Sequence, residues 1–387
     1  MPFAREDREE FDDSFLHPYI DRSQDDEECE GTWAPRALVE LRMYQLSETL
    51  REKPEWWRKA EDPEIRKKWF EEAKAQQEDV EERWRLTDNM INYTLDELED
   101  YAELRNEATG IECGPYDRIW RSDELIPDDL HAALQAAVKP LEEVPDEEKD
   151  WHPGSNGQVL DIVHPSLYPL VYGKSLGKQA DGTINTFEPP GADDDGTGIL
   201  ERFVSQRFQW LPSDFAVRND GSVFLASSYI NNIAPEHAGA LVPVIEQIMA
   251  RAVPMWERVL ADLRRKDMPV RVGPVIKSKG WYGASKGLAC VWPSQAGQPY
   301  PEEELDDKEL EAWYGRQPKT LPDAPPEYDG ALGKREKFVL SMKGRTIQVI
   351  VKLANIVLTP DNPLYSGGTW HVEGMWNERI VSTFIYY

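Results

Sequence analysis

The spacing of apolar residues changes along this chain, and that change restricts it to a mixed architecture. Between 35 and 106 apolar side chains recur three or four positions apart, the period of a helix with one buried face. Leu38, Leu41, Met43, Leu46 and Leu50 mark a first helix, which Pro54 ends. A second starts at Asp62-Pro63, where proline suits the first turn, and carries Ile65, Trp69, Phe70 and Ala73. A third, over 89–106, places Met90, Tyr93, Leu95, Leu98 and Tyr101 in one stripe. A small Ala/Leu helix over 128–138 is expected to stop at Pro140. The last part of the chain changes period. Strands are expected over 203–217 and 223–229, around the turn Asn219-Asp220-Gly221, then over 270–276, 338–342, 346–358, 369–375 and 379–387. One long helix over 235–263 interrupts them, with Pro243 and Pro254 as places for kinks.

The expected fold class is therefore α+β, a helical N-terminal region followed by a β-rich region with a packed helix. The domains read as an acidic disordered tail over 1–30, a helical domain over 31–140, a linker and irregular segment over 141–200, and a β-rich domain over 201–387 with an insertion at 293–327. The tail has twelve Asp/Glu against three Arg and few apolar anchors. The linker is rich in Pro, Gly and acids, with dense turn chemistry in Trp151-His152-Pro153-Gly154-Ser155-Asn156-Gly157.

Charge and cysteine content narrow the function. The chain of 387 residues carries a formal charge of −28, which repels nucleic acid and anionic membrane surfaces. No apolar run approaches the roughly 20 residues of a membrane span, and the acidic N-terminus has no apolar stretch of the secretory kind. Cys29, Cys113 and Cys290 are odd in number and far apart, which argues against a disulfide scaffold or a cysteine zinc site. An intracellular place, cytoplasmic or nuclear, is the expectation. Trp56, Trp57, Trp69 and Trp84 read as core and interface anchors before they read as a ligand box.

One constellation carries chemistry. His371 and Glu373 stand two positions apart in a strand-like stretch after the Gly367-Gly368 turn. On a strand they share a face, with Cα atoms about 7 Å apart. Two such side chains suit two ligands of one divalent ion, and a two-His, one-carboxylate set with open positions suits non-haem Fe(II). His17, His131, His152, His164 and His237, all upstream, read as surface or structural histidines. Asn355, on the strand before the pair, and Thr383, on the strand after it, are candidates for contact with a co-substrate. No nucleophile elbow or phosphate-binding glycine loop is present.

The residues around the pair also carry a resemblance. Leu353-Ala354-Asn355-Ile356, Tyr365-Ser366-Gly367-Gly368 and Trp370-His371-Val372-Glu373-Gly374-Met375 resemble the fungal domain-of-unknown-function family 4246. So do Trp151-His152-Pro153-Gly154-Ser155, the stretch from Val163-His164-Pro165 to Val171-Tyr172-Gly173, Phe208-Gln209-Trp210-Leu211-Pro212 and Ser228-Tyr229-Ile230-Asn231-Asn232. The resemblance runs from about Arg36 to the last residue. It implies a C-terminal double-stranded β-helix (jelly roll) like that of 2-oxoglutarate/Fe(II)-dependent oxygenases. His371 and Glu373 would be the proximal metal ligands, with Fe(II) and 2-oxoglutarate as cofactors and an unknown substrate. It also implies a distal histidine and a basic residue further on. Sixteen residues follow His371, none of them His, and Arg379 comes too early for the basic role. The β-helix is therefore expected to be incomplete, the chain inactive as it stands, and its last strand prone to self-association. Two other readings stand beside this one. The first is a non-enzymatic interaction protein using the Trp-rich helical region; the second is a cupin-like module holding another metal.

Overall fold

A computed structural model describes residues 38–114, 116, 118–178, 181–190, 203–263, 308, 323–328, 330, 332, 339–369 and 371–387. The acidic tail over 1–30, the strand over 270–276 and almost all of the 293–327 insertion lie outside these residues. Among the described residues the chain divides into two units, one drawn from 38–121 and 308–332, the other from 122–263 and 339–387.

The first unit is helical. Helices α1 (Leu38–Arg51), α2 (Trp56–Lys59), α3 (Pro63–Ala75) and α4 (Asp88–Leu104) precede a two-stranded ribbon, β1 (Glu112–Cys113) and β2 (Trp120–Arg121). Helix α4 is the centre, touching α1, α2, α3 and β1. Its Met90, Ile91, Leu95, Leu98 and Tyr101 meet Met43 and Leu50 of α1, Trp56 of α2 and Trp69 of α3 in one core. Trp56 and Trp69 are thus packing anchors, closed to a partner. The start of α3 is set locally. The Asp62 carboxylate accepts from the amides of Glu64 at 2.9 Å and Ile65 at 3.4 Å, and Pro63 occupies the first helical position. Replacing Asp62 by Ala is expected to lower stability by about 1 kcal/mol, read as a fall in the urea midpoint at constant slope. An unchanged midpoint would remove the cap from this account.

The second unit is α+β. Helix α5 (Asp128–Glu142) packs on α6 (Pro235–Leu263), and α6 starts at the Pro235 that its sequence predicts. Helix α5 does not stop at Pro140: the proline lies inside its last turn, where only one intrahelical donor is given up. Among the described residues ten strands form small antiparallel sheets: β3 (Asp150–Trp151), β4 (Val159–Val163), β5 (Leu170–Val171), β6 (Leu176–Lys178), β7 (Ile184–Thr186), β8 (Phe208–Gln209), β9 (Ser213–Val217), β10 (Val223–Leu225), β11 (Thr346–Val349) and β12 (Leu353–Ile356). Two sheets have three strands, in the orders β10-β9-β11 and β12-β4-β3, and β5-β8 and β6-β7 are pairs. The Asn219-Asp220-Gly221 turn joins β9 to β10 as expected, with Gly221 at a φ of 89°. Phe215 and Val217 of β9 share a core with Leu241, Val244, Ile245, Met249 and Val253 of α6 and with Val163 of β4.

The mixed class holds, but the described strands close no barrel. The run over 346–358 is two strands in two different sheets: β11 adds to β9, the chain leaves at Ile350–Lys352, and β12 adds to β4. None of the described residues of 369–375 and 379–387 is in a strand, because no described backbone pairs with them. The second keeps alternating burial. Its Phe384 meets Trp256 edge to face at 6.2 Å and its Tyr386 hydroxyl lies 2.5 Å from His131 Nδ1, so side chains and helices hold it where a sheet was expected. No described helix is long and apolar enough to cross a membrane.

Candidate metal centre

The sheet β12-β4-β3 organises the polar residues of interest. Asp150 and Trp151 face Asp161 and Leu160, and the His152 amide extends the ladder by donating to the Val159 carbonyl at 2.8 Å. The hairpin between them turns through Gly154, Asn156 and Gly157, all at positive φ. On the other side Leu353 faces Val163 and Ala354 faces Asp161, with a bulge that leaves Ile162 unopposed.

His371 and Glu373 face one another, although their segment is not a strand and bends at Glu373-Gly374. His371 Nε2 lies 3.6 Å from Glu373 Oε1. His371 Nδ1 donates to the Thr369 carbonyl at 2.7 Å, which orients the ring with Nε2 toward the carboxylate. The bend needs Gly374, at a φ of 73°: a Cβ there would lie 3.1 Å from Glu378 Oε2 and from Ile380 Cδ1. Glu378 and Asn377 then anchor the segment. Glu378 Oε1 accepts from the Trp210 amide at 2.9 Å, and Asn377 bonds Ser205 and the Tyr172 hydroxyl. Lys352 Nζ lies 3.8 Å from Glu373 Oε1, a half-exposed ion pair of small energetic weight. Donor types and spacing fit two ligands of one ion, since ligand atoms about 2.1 Å from a metal lie roughly 3–4 Å apart. Among the described residues no third His, Cys, Asp or Glu donor gathers with them within 4.8 Å.

The other two candidates lie apart from this pair's chemistry. Asn355, on β12, donates from Nδ2 to Glu142 Oε1 of α5 at 2.7 Å. Thr383 is exposed on the segment that follows.

A second group was not legible as a site. His152, Asp161 and His164 bring one donor atom each to within 4.8 Å of one another. His152 Nδ1 lies 2.7 Å from Asp161 Oδ2, and the two imidazoles are 5.5 Å apart. His164 is held through its backbone amide, which donates to Asn232 Oδ1 at 2.8 Å, and its Nδ1 accepts from the Ser166 amide at 3.2 Å. Burial holds the His164 imidazole below its usual pKa, helped by the charges of Lys352 and His152 and opposed by Asp161 and Asp150. The only local signal was the turn chemistry after Trp151, which announces a reversal but not what lies across it.

In the helical unit a cavity of about 440 Å³ is lined by Asp96, Glu99, Asp100, Tyr328 and Gly330. Arg66 and the Tyr328 hydroxyl already engage its three carboxylates.

The model of a family described as "Protein of unknown function (DUF4246)" matches residues 88–387, and that of "Domain of unknown function DUF4246, N-terminal" matches residues 2–72. No curated protein and no solved structure matches the chain.

Proposed function

The chain belongs to the DUF4246 family, and from that premise we propose that it is an oxygenase-like metal protein in which His371 and Glu373 contribute two ligands to Fe(II). The observation that supports this reading is the 3.6 Å facing of His371 Nε2 and Glu373 Oε1, with Nδ1 held by the Thr369 carbonyl. A backbone acceptor on the far nitrogen is how ligand histidines are oriented, and an imidazole with a carboxylate suits Fe(II). When bound with 2-oxoglutarate, Fe(II) supplies oxidation of an unidentified substrate by dioxygen. The chain's own part is to orient the ring, to present the carboxylate, and to keep Lys352 near enough to balance its charge in the absence of metal. Lys352 is half exposed and swings away at little cost. Asn355 takes its suggested place at the co-substrate only by releasing Glu142, and Thr383 only if the co-substrate reaches the exposed side of its segment.

The test is anaerobic titration with Fe(II), with and without 2-oxoglutarate. His371→Ala and Glu373→Gln are each expected to weaken Fe(II) at least tenfold while the thermal transition stays in place. Equal affinity in both variants would overturn the reading. Tighter binding of Zn(II) with no effect of 2-oxoglutarate would replace it by the cupin-like one. The interaction-protein reading gains no support, since Trp56 and Trp69 are core residues.

A further inference from the structure

We propose that His152, Asp161 and His164 form a separate divalent-metal site, taking Zn(II) or a first-row ion of similar character. The first ground is convergence. Three donors of the right kinds, two imidazoles and a carboxylate, lie within 4.8 Å of one another, placed by the β3–β4 register and by the Asn232 hold on His164.

The second ground is independent of the cluster itself. The Asp161 side chain is only 4% exposed; its Oδ2 meets His152, but its Oδ1 is buried with no hydrogen-bond partner. A buried carboxylate oxygen without a donor is rare and unfavourable, and a cation at that oxygen satisfies it. His164 is buried as well, and the Asn232 contact at its backbone amide holds it in place. His152 is 40% exposed, which gives the ion a way in and leaves one ligand free to adjust.

The donor set selects the ion. Calcium and magnesium prefer oxygen ligands, whereas two imidazoles with one carboxylate suit Zn(II), Co(II) or Fe(II), with water completing the shell. The Ser166 amide at His164 Nδ1 sets one condition. Binding through Nε2 moves the ring proton to Nδ1 and releases that contact; binding through Nδ1 displaces it directly. Either way a 3.2 Å neutral hydrogen bond is exchanged for a metal bond.

The experiment uses the full chain, stripped of metal, titrated with Co(II) by visible absorption and then with Zn(II) in competition. A Glu373→Ala background separates this site from the His371 pair. There Co(II) binding is expected to persist, and adding Asp161→Asn or His152→Ala is expected to weaken it at least tenfold. In Asp161→Asn the side-chain amide oxygen would still accept from His152, and His152 itself is half exposed, so both variants are expected to keep the fold; circular dichroism checks this. Identical titrations for His152→Ala and its parent, or loss of all Co(II) binding in Glu373→Ala alone, would overturn the proposal. The first outcome leaves the Fe(II) reading of His371 and Glu373 standing. Conversely, binding that depends on Asp161 and not on His371 would sink that reading and keep this one.

Discussion

Glu112→Ala is expected to destabilise the helical unit by about 3–5 kcal/mol, the range seen when one partner of a buried ion pair is removed. The size follows from what the carboxylate serves. Glu112 is buried on β1, where Oε1 accepts from Arg121 Nε at 2.9 Å and Oε2 accepts from the Trp56 indole at 3.0 Å. Arg105 Nε lies 3.7 Å from Oε2, its side chain 7% exposed and its guanidinium 3.6 Å above the Trp57 ring. Arg121 also bonds Glu48; burial pulls its pKa down, but Glu48 and Glu112 together hold it above the usual value. Removing Glu112 therefore leaves excess positive charge in a low-dielectric interior and takes the acceptor from the buried Trp56 indole. Glu112→Gln retains an acceptor for Trp56 and is expected to lose less. Urea unfolding measures the change, and hydrogen exchange across 88–104 assigns it to this unit. A loss under about 1 kcal/mol for Glu112→Ala would mean that the arginines find water on their own.

Phe215→Ala is expected to remove about 3–5 kcal/mol from the second unit, by lost transfer energy and an uncollapsed cavity. Phe215 is 0% exposed on the central strand of its sheet, directly across from Leu225 on β10 and Ile347 on β11. Its ring lies in the core shared with α6. Neighbours on both strands are fixed by backbone ladders and cannot close inward, which places the loss in the upper part of the range. Phe215→Leu refills most of the volume and is expected to lose about 1–2 kcal/mol. The two units need not unfold together, so each variant is followed by exchange in its own unit as well as by the global transition. Similar losses for Ala and Leu would show that the cavity term is absent.

What was legible in the sequence was local. Helix α6 follows from an apolar period that only a helix satisfies, and the start of α3 follows from Asp62-Pro63, whose capping needs no distant residue. The β9–β10 hairpin follows from Asn219-Asp220-Gly221 for the same reason. The strands near the C-terminus were not legible, because alternation describes a face and says nothing about a neighbour. The run over 346–358 is apolar enough to read as one strand yet serves two sheets, and 379–387 alternates in burial against helices. The site divides in the same way. His371 and Glu373 are close in sequence, and their facing survives the loss of the strand. His152, Asp161 and His164 meet only through a strand register and an asparagine from a distant loop, which no spacing rule reports.

The position of β11 and β12 in the chain sets the order in which this protein can assemble as it is made. Both lie after α6 and after the stretch 264–338, yet they complete sheets begun by β9 and β4. When α6 emerges from the ribosome, β9 has β10 on one side and an open ladder on the other, and β4 has only the two-residue β3. Those edges stay open until Ile356 has been translated, and during that interval another nascent chain can dock where β11 and β12 belong. Slower translation through 264–345 would lengthen that interval without changing the stability of the finished molecule.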